Sequence, residues 1–198
     1  MSEIVVYGFD TSNNIKVRVG LGYKGLDYEF RRIEPGDREE IVRVSGQHLT
    51  PVLAHGETVL FDSAAILRYL DANFPDTRKL FGESRSDQWA IEDKELFART
   101  ELAGPMMRIV HRRVSGQAID EALQLECAEA FETAAMTIAK QRGDREWWHG
   151  ERMTVADITA TAVLYRVAAA EMFDLGPAAT SLAPWVERVV AHDAHLPK

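Results

Sequence analysis

The chain has one cysteine, Cys127, among its 198 residues. An internal disulfide and a Cys-x-x-Cys redox pair within the chain are both excluded, and a reducing, cytoplasmic setting is expected. Long apolar runs are missing too. The opening Met-Ser-Glu-Ile-Val-Val-Tyr-Gly lacks a basic stretch followed by a long apolar one, and the most apolar later segment, Thr159 to Gly176, is broken by Arg166 and Glu171. Nothing reads as a signal peptide or a membrane span. Positive charge is scarce: 23 Lys plus Arg face 31 Asp plus Glu, a net charge of -8, with no basic run. A nucleic-acid partner is disfavoured. Gly-x-Ser-x-Gly, the phosphate-cradling Gly-x-x-x-x-Gly-Lys-Ser/Thr and His-Glu-x-x-His are all absent. Of six histidines, His192 and His195 are three apart but have no third ligand nearby, so they read as a solvated tail and no metal is expected.

What is present is ordinary globular composition, 46% hydrophobic and 27% charged, arranged in two styles. Up to about residue 76 the pattern alternates. Glu-Ile-Val-Val-Tyr-Gly reads as a strand, and Ile15, Val19 and Tyr23 then share a helical face. Leu26 to Ile33 reads as a strand, Asp37 to Ser45 as a short helix, and Thr50 to Phe61 as two strands around His55-Gly56-Glu57. Ile66, Leu67, Leu70 and Phe74 lie on one face of a following helix. This order, βαβαββα, predicts an α/β layer over 1–76. Residues 77–85, interrupted by Gly82 and polar side chains, read as a linker. Over 86–198 every periodic segment is helical: a stretch from Ser86 to Val114 with a kink expected at Gly104-Pro105, a second from Ile119 to Ile138, a third opening at Met153-Thr154-Val155-Ala156-Asp157-Ile158, and a short one after Pro184. The fold class is α/β plus all-α.

Three patterns in the first domain can carry chemistry. The turn Thr11-Ser12-Asn13-Asn14 joins the first strand to the first helix, so its hydroxyls, amides and free N–H groups surround a helix N-terminus suited to an anion. Taken structurally, one of Ser12, Asn13 or Asn14 is the N-cap. Thr50-Pro51-Val52-Leu53 opens a strand with proline, trans in the commoner case; a cis bond instead turns the Val52 backbone towards an extended peptide. Asp62-Ser63 precedes a helix. Ser63 is a good cap, and the pair also suits the two charged ends of an amino acid.

In this order and spacing the chain resembles the cytosolic glutathione S-transferase family from end to end, through Thr11–Glu29, Ser45–Leu53, Leu60–Asp76 and Glu151–Thr159. The resemblance implies a thioredoxin-like first domain that binds glutathione, a helical second domain, homodimerisation, and a small electrophilic substrate; membrane and nucleic-acid partners are not implied. It implies that Pro51 is cis, that Val52 pairs with the cysteinyl backbone, that Asp62 and Ser63 hold the γ-glutamyl end, and that Thr154 and Asp157 form the family's capping box with Met153 packed on Ile158. Ser-type members place the thiol-activating hydroxyl where this chain has Thr11. A hydroxyl with an amide looks like the nu class, which makes Thr11 the foremost candidate, Asn13 the second and Ser12 the third; Tyr7, at the end of the first strand, is a fourth.

Two positions depart from the family. Leu49 stands two residues before Pro51, where many members carry Lys, Arg or Gln against the glycyl carboxylate; Gln47, His48, Arg108 or Arg112 are the available replacements. The turn has no cysteine, which argues against thiol transfer of the omega or glutaredoxin type. Leu102 to Arg113, with Met106, Met107 and Val110, is the expected apolar wall for an electrophile. The expected activity is conjugation of the glutathione thiolate to a small apolar electrophile, with nu-type reduction of disulfides or peroxides, or a non-catalytic scaffold, as the competing readings.

Overall fold

A computed structural model describes residues 3–196. They form two compact units, residues 3–81 together with 190–196, and residues 82–189. Residues 190–196, expected with the helical domain, group with the first unit.

The first unit is built on a sheet of β1 (Ile4–Gly8), β2 (Glu29–Arg32), β3 (Val52–His55) and β4 (Thr58–Leu60) in the order β2-β1-β3-β4. β1 and β2 are parallel, while β3 runs antiparallel to β1 and β4 to β3. Side chains alternate across a strand, so each of these strands feeds two layers. Val5, Tyr7, Val52, Ala54 and Val59 meet Ile33, Ile41 and Val44 in one layer, under α2 (Glu39–Ser45). Ile4, Val6 and Leu53, also buried, point to the other face, where α1 (Ser12–Lys24) packs on α3 (Ser63–Asn73). Ile15, Val19, Ile66, Leu67 and Leu70 are wholly buried, and each such side chain contributes roughly 1.5–3 kcal/mol. The Leu26 to Ile33 segment is ladder-paired only over Glu29–Arg32.

α1 also carries buried charge. Arg18, with no side-chain exposure, donates from Nε to Asp193 at 2.7 Å and from Nη2 to Asp10 at 2.9 Å. Lys24 reaches Asp71 at 3.0 Å. Asp193 arrives with the 190–196 segment, whose backbone lies so close to α1 that a Cβ on Gly22 would meet the His192 carbonyl oxygen at 1.9 Å. His192 packs edge-on against Tyr23, and His195 edge-on against Tyr28 and tilted against Phe30. The solvated-tail reading is corrected for His192, which is half-buried against α1; His195 touches two rings but stays exposed. Burial holds the His192 pKa below its ordinary value, with Arg78 adding to the effect.

The second unit contains α4 (Arg85–Phe97), α5 (Ala103–Val114), α6 (Glu121–Arg142), α7 (Val155–Ala169), α8 (Pro177–Ser181) and α9 (Ala183–Val190). Between α4 and α5 the chain winds one π-helical turn, Ala98–Leu102, closed by the Ala103 N–H on the Ala98 carbonyl. The irregularity expected at Gly104-Pro105 therefore falls just upstream of that pair. α7 is buried on nearly every side. Its start is a closed box: Asp157 accepts from the Thr154 N–H at 2.8 Å, the Thr154 hydroxyl at 2.9 Å and the Trp148 N–H at 2.7 Å. Met153 and Ile158 are both buried. Cys127 is a buried thiol with a pKa raised by burial, in keeping with a small core residue. Among the described residues no helix is long and apolar enough to cross a membrane.

Candidate active site

The three sequence patterns converge within the first unit. β1 ends at Gly8, the chain turns through Phe9 and Asp10, and Thr11 caps α1. The N-cap is therefore Thr11, one residue before the three candidates read from sequence, because its extended backbone aims Oγ1 at the Asn14 N–H, 3.3 Å away. The side-chain amide of Asn14 adds two bonds, to Thr11 Oγ1 at 2.7 Å and Thr50 Oγ1 at 3.0 Å. This links the turn to the loop before Pro51, whose bond to Thr50 is cis. From the other side, Ser63 Oγ donates to Asn13 Oδ1 at 3.3 Å, tying the turn to the start of α3.

Asp62, not Ser63, is the N-cap of α3, accepting the Ala65 N–H at 2.8 Å. A carboxylate makes a stronger acceptor than a hydroxyl for the orphan donors of a helix start. Ser63, the first residue of α3, is thereby freed to reach Asn13. Ser12 begins α1, and neither it nor Asn13 has a partner for its backbone N–H among the described residues. The first turn of α1 contains no acid to neutralise its positive end. Asp10, next to the turn, is committed elsewhere: it bonds Arg18 and, at 2.9 Å, Arg32. Burial alone would raise its pKa, but the bonds and charge of Arg32 and Arg18 outweigh it and hold the carboxyl below its usual range. Its negative charge is thus balanced before it can act on the turn.

Val52 opens β3 opposite Tyr7. β4 pairs with β3 only from Leu53 onward, so Val52, itself fully buried, has no ladder partner in β4. Tyr7 is a core residue, buried with Ile33, Ile41 and Val52, its oxygen accepting from Arg31 Nη1 at 3.0 Å. Leu49 is 69% exposed. Gln47 is consumed by its own loop, donating to Ser45 Oγ and the Leu49 carbonyl while accepting the Leu49 N–H. Arg108 is held by both oxygens of Glu126, at 2.7 and 2.9 Å. The guanidinium of Arg38 instead lies 4.7 Å over the Phe9 ring, with its buried Nη1 unpartnered. Met106 is core, whereas Met107, one residue on, is exposed.

Sequence reasoning offered Asn14 only as a cap and missed its side-chain bonds to Thr11 and Thr50. The signal was its position, third in the helix after a threonine cap, where the second member of a capping box sits.

Comparison with known proteins matches this architecture at two levels. Residues 6–78 match the glutathione S-transferase N-terminal domain and residues 97–193 the glutathione S-transferase C-terminal domain. Glutathione S-transferase U14 of Arabidopsis thaliana is 27% identical over 95% of this chain and 81% of its own length. Glutathione S-transferase 1 of Dianthus caryophyllus is 36% identical, but over 37% of this chain and 36% of that protein, so this match spans about a third of either. A rice glutathione transferase solved in complex with glutathione superposes with a TM-score of 0.81 at 22% identity, covering 99% of this chain and 92% of that one. Glutathione transferase Omega 3C from Trametes versicolor gives 0.82 at 17%, covering 100% and 91%. With both of its units matched in order, the chain belongs to the glutathione S-transferase family of enzymes.

Proposed function

We propose that this protein is a glutathione transferase that conjugates the thiolate of bound glutathione to a small apolar electrophile, and that Thr11 activates the thiol. One observation carries this reading. Thr11 Oγ1 accepts two hydrogen bonds from Asn14, and its hydroxyl proton has no acceptor among the described residues, so the proton is available to a sulfur at the start of α1.

The donor set fits the tripeptide. Free N–H groups of Ser12 and Asn13 and an uncompensated helix dipole suit a thiolate; the start of β3 at Val52, left without a β4 ladder partner, suits an extended peptide; Asp62 and Ser63, at the start of α3, suit a γ-glutamyl group, with one Asp62 oxygen spent on the cap. Arg38, two residues of turn away from Thr11 through its stacking on Phe9, supplies the cation that Leu49 lacks for the glycyl carboxylate. When bound, glutathione supplies the nucleophilic sulfur. Thr11 would donate a hydrogen bond to the sulfur and the positive end of α1 would favour its anion, so that a thiol of ordinary pKa, about 8.5, would ionise nearer neutrality, each unit being worth about 1.4 kcal/mol. Catalysis comes from that stabilisation and from holding the sulfur in place.

Nu-type reduction of disulfides or peroxides is a second reading. Its support is Asn13, whose carbonyl oxygen is taken by Ser63, which leaves its NH2 group as a second donor beside Thr11. We also propose a cytoplasmic homodimer: Trp89 and Leu96, seven residues apart on α4, are 64% and 48% exposed, a costly pair to leave in water. Light scattering tests the dimer, and a monomeric mass refutes it.

The decisive experiment is calorimetric titration with reduced and oxidised glutathione, followed by turnover with electrophile and peroxide panels. Saturable binding of the reduced form with conjugation exceeding reduction supports the transferase. Equal affinity for the oxidised form and faster reduction support the second reading, and absence of binding overturns both.

A further inference from the structure

Asn14 is fully buried beneath the candidate site, and the conjugation scheme gives its side chain no contact with a ligand. Its amide nevertheless satisfies both of its protons, one on Thr11 Oγ1 at 2.7 Å and one on Thr50 Oγ1 at 3.0 Å, while its backbone N–H takes a second place on Thr11 Oγ1 at 3.3 Å. A hydroxyl has two lone pairs and one proton. With both lone pairs of Thr11 occupied from below, its proton has only one direction left. The amide orientation follows from the same counting: both donors are satisfied, and only the carbonyl oxygen Oδ1, a group that tolerates this better than an N–H, is left buried without a partner. Oδ1 sits against Gly8, where an added Cβ would meet it at 1.6 Å. Glycine at the end of β1 is what lets the amide lie there.

We propose that Asn14 is the positioning residue of the site: it saturates the acceptor side of Thr11 so that the Thr11 hydroxyl donates outward, and through Thr50 it fixes the spacing between that donor and the segment at Pro51 and Val52. The proposal rests on the reading of Thr11 as the thiol-activating residue. It accounts for an amide, rather than the usual acid, at the third position of α1. An ionised acid there accepts the Thr11 proton and leaves none for a ligand.

Two readouts other than turnover test it. In the first, the full-length protein saturated with reduced glutathione is titrated with base while thiolate absorbance is followed, for the native chain, Thr11→Val, Asn14→Leu and the double variant. Asn14→Leu is expected to shift the bound-thiol titration about tenfold in proton concentration towards that of free glutathione, Thr11→Val by as much or more, and the double variant no further than Thr11→Val. A native titration in folded Asn14→Leu overturns the proposal while the Thr11 reading stands. A native titration in Thr11→Val overturns both. Should Asn14→Leu not fold, Asn14→Asp keeps the volume and reverses the hydrogen bond to Thr11; the same shift is expected, and an unshifted titration overturns the proposal. The second readout needs no ligand: the side-chain amide protons of Asn14 in the free protein should exchange with solvent far more slowly than those of exposed Asn13, and equal rates overturn the hydrogen bonding on which the proposal stands.

Discussion

α1 and α7 both begin with a threonine cap, and the two caps have opposite polarity. At α7 the third residue is Asp157, which accepts from the Thr154 hydroxyl and N–H, so the box is closed, buried and inert. At α1 the third residue is Asn14, which donates to Thr11. The Thr11 N–H turns back to the Phe9 carbonyl at 2.7 Å, and its hydroxyl proton is left over. One atom's difference at the third position separates a structural cap from a chemical one.

The sharpest break of this comparison is to give α7 the α1 chemistry. Asp157→Asn places an NH2 against the donors of Thr154 or Trp148, so at least one buried donor loses its acceptor. We expect a loss of about 3 kcal/mol, read as a lower urea midpoint at unchanged slope, with the bound thiol of the folded fraction titrating as in the native protein. Thr11→Val breaks the other side. It removes a cap as well as a donor, and we expect about 1 kcal/mol of stability and about a tenfold fall in kcat/KM at neutral pH, the latter recovered as pH rises. Arg38→Met tests whether the charge beside the α1 turn holds ligand; glutathione affinity is expected to fall about tenfold by calorimetry, as for loss of one charge-assisted bond.

A smaller effect concerns Leu49→Lys, which restores the common family residue at an exposed site and should tighten glutathione about threefold, in line with a solvent-screened pair. The smallest comes from Asp10, which lies beside the α1 cap rather than inside it. Its folded pKa is below the unfolded value of about 3.9, so its stabilisation is present above that value and is lost as pH falls through the folded one. Because the carboxylate is partly exposed, we expect less than about 1 kcal/mol, seen as a flatter acid limb of the denaturation midpoint in Asp10→Asn.

The elements of the first unit could be read from period and punctuation, since Ile15, Val19, Ile66 and Leu70 mark the faces of α1 and α3 without help from distant residues; in the second, the short α8 was not read. The capping box at α7 was legible for the same reason: its members are local. What escaped depended on long-range partners. Asn14 finds Thr50 thirty-six residues away, and Ser63 gives up capping to Asp62 because Asn13 lies across the fold from it. His192 looked solvated because nothing near it in sequence discloses Tyr23. The irregularity read at Gly104-Pro105 lies just upstream, as a π-helical turn, one of the few local causes that interrupt an α-helical ladder.

The docked 190–196 segment bears on the order in which the protein is made. A ribosome releases Arg18 early and Asp193 some 175 residues later, so throughout synthesis the first unit holds a cation whose buried counter-charge does not yet exist. Its α1 can coil and its sheet can pair, but the unit reaches its final state only after the helical bundle has emerged in full. Nascent chains stalled at residue 100 should accordingly expose α1 to protease, although every residue of the candidate active site has by then been translated.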